Sequence, residues 1–236
     1  MKIKDEHFRN YYKKPIVIKD KQFAHETARS LQIDSIMEDD ITGDEIKERL
    51  ESMEIDENIN SLLAIPYIDH TAGISFKILT TSTIDDDNVE IHKRDDPFLV
   101  LLTCRKDKVN DSEFEYLEKL NANEDFSIDD YKELIDSLKN YYVNDGVEAL
   151  RFIDILDSSR HEDFPDDLEV LFFKEGLQIE KMWVRCENIG EETPIVATLL
   201  NTPFQDFGIN EGDEINCFPY QPKDSDEWIV ICDLNE

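Results

Sequence analysis

Glycine is scarce: seven in 236 residues. Few places are left where the backbone can approach a phosphate closely, and no glycine stands in a dinucleotide, P-loop or G-x-S-x-G pattern, which argues against those chemistries. Cysteine is equally sparse and unpaired. Cys104, Cys186, Cys217 and Cys232 show neither C-x-x-C nor zinc-finger spacing and read as reduced thiols. The five histidines, at 7, 25, 70, 92 and 161, make no H-x-x-x-H or H-E-x-x-H pattern. No apolar run approaches the roughly 18 residues needed to span a bilayer, and the opening MKIKDEHFRNYYKK has no apolar signal region. These absences predict a cytoplasmic protein with no membrane contact, no cofactor and no familiar catalytic motif.

What the chain has is acid. Fifty-six Asp and Glu against 25 Lys and Arg give a formal charge of −31, unevenly spread. Residues 1–29 carry eight basic and four acidic side chains, hence +4, so the remainder carries −35. Eleven acids fall in 34–57 and nine in 154–180. Such a field repels nucleic-acid phosphates and anionic membranes and attracts basic proteins, although solubility alone is a sufficient reason for an acidic surface. Disorder is not expected, because 40% hydrophobic and 10% aromatic residues supply enough apolar surface for a core.

The apolar pattern predicts an α+β protein, with an N-terminal α+β domain over residues 1–178 and a small all-β, barrel-like domain over 179–236. A short strand, Pro15–Lys19, is followed by a helix of about ten residues from Asp20 that buries Phe23, Ala24, Ala28 and Leu31. Thr42 and Glu45 have the spacing of a capping box opening a second helix. LLAIPYID and GISFKILTT read as paired strands, the second with Ile74, Phe76 and Ile78 inward, and the run Phe98–Leu102 suits a central strand. Helices are expected at Ser112–Leu120 and Ser127–Tyr141, the latter capped by Ser127. Val147–Ser158 fits neither period cleanly, and its β-branched content favours a strand.

MWVRCENI, PIVATLL, EINCFPY and WIVICDL then form four short strands separated by turns containing Gly190, Gly208 and Gly212. Trp183, the Leu199-Leu200 pair before Asn201 and Pro203, the Gly212-Asp213 turn and Trp228 together resemble the YegJ-like family of small bacterial domains. The resemblance covers about 55 C-terminal residues. It implies an accessory module, of a kind found near toxin–immunity systems, with no established reaction. Pro219 departs from the pattern and implies an edge or a bulge.

The loop Asn201–Asp213 carries Phe204 and Phe207 among Asp206, Glu211 and Asp213, an apolar anchor beside steering charge, and is the candidate partner-binding site. The other account of this loop tucks both rings under the barrel. Asp69, His70 and His92 flank the predicted hairpin and form a candidate polar or metal site. The reading that follows is a non-enzymatic protein-binding module, of immunity or accessory type, for a basic protein. A metal-dependent enzyme built on His70 and His92 and a DNA-mimic inhibitor are the alternatives. Direct nucleic-acid binding is not expected without a basic stripe.

Overall fold

The computed structural model describes residues 1–38, 54–93, 102–141, 143–190 and 194–235. It is α+β, with one mostly antiparallel sheet, short helices and a closed five-stranded barrel. Among the described residues no helix is long and apolar enough to cross a membrane. Two compact units divide the chain: Met1–Tyr67 with Ile74–Asn140, and Ile68–Gly73 with Tyr141–Glu236.

The first unit runs α1 (Phe8–Tyr11), β1 (Ile16–Lys19), α2 (Lys21–Glu38), β2 (Ser61–Asp69), β3 (Gly73–Asp85), β4 (Asn88–Ile91), β5 (Thr103–Arg105), α3 (Lys106–Val109), β6 (Glu113–Tyr116), β7 (Asn121–Ala122) and α4 (Lys132–Asp136). The strand order is β6-β1-β2-β3-β4-β7, with β5 on β3. One face buries Val17, Leu63, Ile65 and Leu79 against Tyr131, Leu134 and Leu138 of the helical segment 128–141. Ser127 caps that segment, accepting from Asp129 N at 3.2 Å. Asp20 caps α2, accepting from Phe23 N at 2.9 Å, and Ala24 and Ala28 are buried. α2 continues for 18 residues, well past the expected ten.

Two expectations for this unit need amendment. Ser112–Leu120 is not a helix but β6 followed by a 3-10 turn, Leu117–Lys119. The sequence Glu-Phe-Glu-Tyr alternates with period two, and Phe114 pairs with Ile18 of β1 while its ring is fully buried. β3 is covered on both faces, so Ser75 and Lys77 are buried along with Ile74, Phe76 and Ile78. Ser75 accepts from the Arg105 guanidinium. The Thr42 capping box and most of the Phe98–Leu102 run lie outside the described residues.

The second unit contains α5 (Asp145–Leu150), a 3-10 turn (Asp154–Ser159), β8 (Asp167–Phe173), β9 (Glu180–Ile189), β10 (Ile195–Leu199), β11 (Glu214–Tyr220) and β12 (Ile229–Asp233). The barrel closes as β10-β11-β12-β8-β9; β8 and β12 are parallel and the other neighbours antiparallel. Alternate residues fill it, among them Val170, Phe172, Val184, Cys186, Ala197, Leu199, Cys217 and Val230, with Leu150 and Leu156 packed against them. The four expected C-terminal strands are β9 to β12. A cut at residue 178 falls between two barrel strands, because β8 supplies the closing wall. Val147–Ser158 is helical rather than extended: Asn144 caps α5, accepting from Val147 N at 2.9 Å, and Val147 and Leu150 share one buried face. Pro219 lies beyond the last rung to β10, Ile195 with Cys217, so its missing N–H costs no bond there.

Gly73 is fixed by two demands. Its φ is +77°, and a Cβ there would run into the backbone carbonyl of Asp163.

Candidate functional site

β10 ends at Leu199, and the chain crosses one end of the barrel before β11 begins at Glu214. Polar contacts hold that crossing in place. Asn201 Oδ1 accepts from Trp183 N at 2.7 Å, and Phe204 N donates to Glu180 Oε1 at 2.8 Å. Gln205 and Gln178 exchange two bonds of 3.0 and 2.9 Å, and Lys174 Nζ caps the Phe207 carbonyl at 2.6 Å.

The two phenylalanines of this loop have opposite fates. Phe207 is buried, edge-on to Phe172 with ring centroids 6.3 Å apart, and belongs to the core. Phe204 is 97% exposed although its own N–H is pinned. Ile179, flanked in the chain by the two residues that hold the loop, is 59% exposed. Ile179 also lines a shallow groove of about 380 Å³ with Phe173, Leu177, Lys174 and Glu175. The carboxylates divide likewise. Asp206 accepts from Gly208 N, Asp213 from Asn210 N and Glu211 from Thr202 Oγ1, so each shapes a turn while keeping its charge at the surface. Glu180 Oε2 is buried with no hydrogen-bond donor among the described residues.

A second constellation lies in the same unit and escapes sequence reading. Asp166, 2% exposed, accepts from Arg151 Nε at 2.8 Å and from Nη2 at 2.7 Å. Arg151 is fully buried and donates from Nη1 to Glu148 at 2.9 Å. His70 donates through Nδ1 to Asp166 Oδ2 at 2.8 Å, and its Nε2 lies 3.4 Å from Glu187 Oε2. Glu187 reaches His70 because β9 bulges: Val196 pairs with Asn188, but Ala197 pairs with Cys186, leaving Glu187 as the extra residue. Thr198 Oγ1 completes the chain, donating to Glu187 Oε1 at 3.0 Å.

The charges in this cluster set one another. The Asp166 hydrogen bond raises the His70 pKa above its ordinary 6.5, outweighing partial burial. Burial pushes the Asp166 carboxyl up, but the hydrogen bonds from Arg151 and His70 overcome it and hold the pKa below 3.8.

Asp69 and His92 each have hydrogen-bond partners within their own unit. Asp69 Oδ1 accepts from Thr71 N and Ala72 N, both at 3.1 Å, and shapes the hairpin turn. His92 belongs to the first unit, its ring nitrogens 3.2 and 3.1 Å from the Thr81 and Thr83 hydroxyls. Among the described residues no three His, Cys, Asp or Glu side chains are grouped to hold a metal. One signal for the missed cluster was available: Glu148 and Arg151 stand i and i+3, a pair that a helix brings together and a strand separates.

Compared with protein-family models, curated proteins and solved structures, the chain matches none.

Proposed function

We propose that this chain is a non-enzymatic protein-binding module, of accessory or immunity type, that captures a basic protein at the barrel end bearing Phe204. The observation that carries the reading is a phenylalanine 97% exposed on a loop whose backbone is held by Glu180, Gln178 and Lys174. A pinned loop loses little entropy on binding, and an aromatic ring entering a pocket gains about 1.5–3 kcal/mol. Glu180, which holds Phe204 N, and the exposed Asp206 and Glu211 of the same loop supply negative charge, and the chain's −31 steers a cationic partner towards it. The resemblance of the last 55 or so residues to YegJ-like modules agrees with a neutralising role.

The test compares wild type with Phe204→Ala as bait in native lysate. A basic partner should be retained by wild type at low salt, released near 0.5 M salt, where the Debye length falls below about 5 Å, and lost with the variant. Equal recovery by both baits, or capture that survives high salt, would refute the reading.

A further inference from the structure

The barrel interior holds three thiols, of Cys186, Cys217 and Cys232, all buried. Two of them face each other across one seam. Phe218 pairs with Ile231, so the next rung sets Cys217 opposite Cys232. The kind of rung follows from the neighbouring ladder. Leu199 N donates to Asp213 O at 3.0 Å and Leu199 O accepts from Gly212 N at 2.8 Å, so residue 199 turns its peptide groups towards β11. By the period-two alternation Ile195 does the same, and Cys217, opposite Ile195, turns its peptide groups to β10 and away from β12. Pro219, of the same parity, puts its absent N–H on that side too. Cys217 and Cys232 are therefore a non-hydrogen-bonded pair, the rung type with Cα atoms about 4.5 Å apart and side chains closest. That Cα spacing lies within disulfide range, and both side chains point into the barrel.

We propose that Cys217 and Cys232 are a modification site, a cross-strand dithiol that closes reversibly to a disulfide by exchange with a small disulfide oxidant. In the exchange the Cys232 thiolate attacks one sulfur of the oxidant and displaces its other half as a thiol. Cys217, losing its proton, then attacks Cys232 of the mixed disulfide and releases the second half as a thiol. Two S–H bonds and the oxidant's S–S bond are broken, and one protein S–S bond and two small thiols are formed. The two thiols are unequal: contact with Cys232, then burial, pushes the Cys217 thiol up, while the same contact draws Cys232 down, which suits Cys232 to the first attack. Access comes through the seam itself. β11 and β12 share only a short ladder, Phe218–Ile231, Pro219–Val230 and Tyr220–Ile229, so local opening there is easier than opening of the whole barrel. The closed bond draws the two strands together, since disulfide Cβ atoms lie about 3.5–4.5 Å apart and cross-strand ones about 4.5–5.5 Å, and that strain keeps it reducible.

The experiment treats the full native chain with cystamine, quenches with acid, and maps disulfides by mass spectrometry. The expected product has lost two hydrogens, links the peptides holding Cys217 and Cys232, leaves Cys104 and Cys186 alkylatable, and returns to the dithiol on brief reduction. Cys186→Ala should oxidise as wild type does; Cys232→Ala should stop at a mixed disulfide or not react. Four free thiols after prolonged native treatment, with oxidation only in denaturant, would overturn the proposal. So would a wild-type bond that includes Cys186, a readout that needs no variant to fold.

Discussion

Replacing Asp166 by Asn leaves its volume intact and removes the charge on which the buried cluster is organised. Two hydrogen bonds from Arg151 and one from His70 converge on this carboxylate. Hydrogen bonds to a charged group contribute about 1.5–3 kcal/mol each, but the relevant quantity is the cost of breaking a buried pair at one end, about 3–5 kcal/mol, because the fully buried Arg151 keeps its charge and loses the carboxylate it shares. With a urea m-value of about 2 kcal/mol/M the midpoint should fall by about 2 M. The chain provides its own probe: its two tryptophans, Trp183 and Trp228, both lie in the second unit, so indole fluorescence follows that unit alone. The double variant Arg151→Met with Asp166→Leu removes both charges and should recover most of the loss. A D166N midpoint within about 0.5 M of wild type, or a double variant as unstable as the single one, would show that the cluster contributes little net stabilisation.

The same probe should detect a pH dependence. A raised folded-state pKa gives His70 a contribution that is full below its unfolded value near 6.5 and fades as pH rises through the folded value, so stability should decline above pH 6.5 and His70→Gln should flatten that limb. Asp166, held below 3.8, acts in the opposite sense: its contribution is present above 3.8 and lost as pH falls further, an acid limb that D166N should remove. Phe207→Ala should cost about 3–5 kcal/mol of second-unit stability, whereas Phe204→Ala should change it by less than about 0.5 kcal/mol; a large loss at Phe204 would mean that the ring is part of the core. Gly73→Ala should cost more than Gly176→Ala, since both have positive φ but a Cβ at 176 meets nothing within 4 Å; equal midpoints in urea would argue against the close approach to Asp163.

Period-two patterning made β9 to β12 legible, and helical spacing with a Ser127 cap did the same for 128–141, because both patterns act over neighbouring residues. Closure of the barrel was not legible. It depends on β8, which stands before the acidic Glu175-Gly176 turn and pairs with β12 some 60 residues later. At Val147–Ser158 local β-propensity pointed one way, and the Asn144 cap with the Val147–Leu150 face prevailed. The candidate sites divide similarly. Aromatics among acids marked the Phe204 loop, but which ring is buried depends on Phe172, 35 residues upstream of Phe207. His70 was visible as a residue type, while its partners Asp166 and Glu187 come from 96 and 117 positions away.

The parallel seam between β8 and β12 has a kinetic consequence. An elongating chain that has reached Tyr220 has β8 to β11 in hand, yet β8 and β11 each still present an unmatched flank. Those flanks stay open to mispairing until residues 229–233 emerge, so the barrel cannot close before its last strand has been made. Arrest of translation between Tyr220 and Ile229 would strand a four-stranded, sticky intermediate rather than a smaller stable domain.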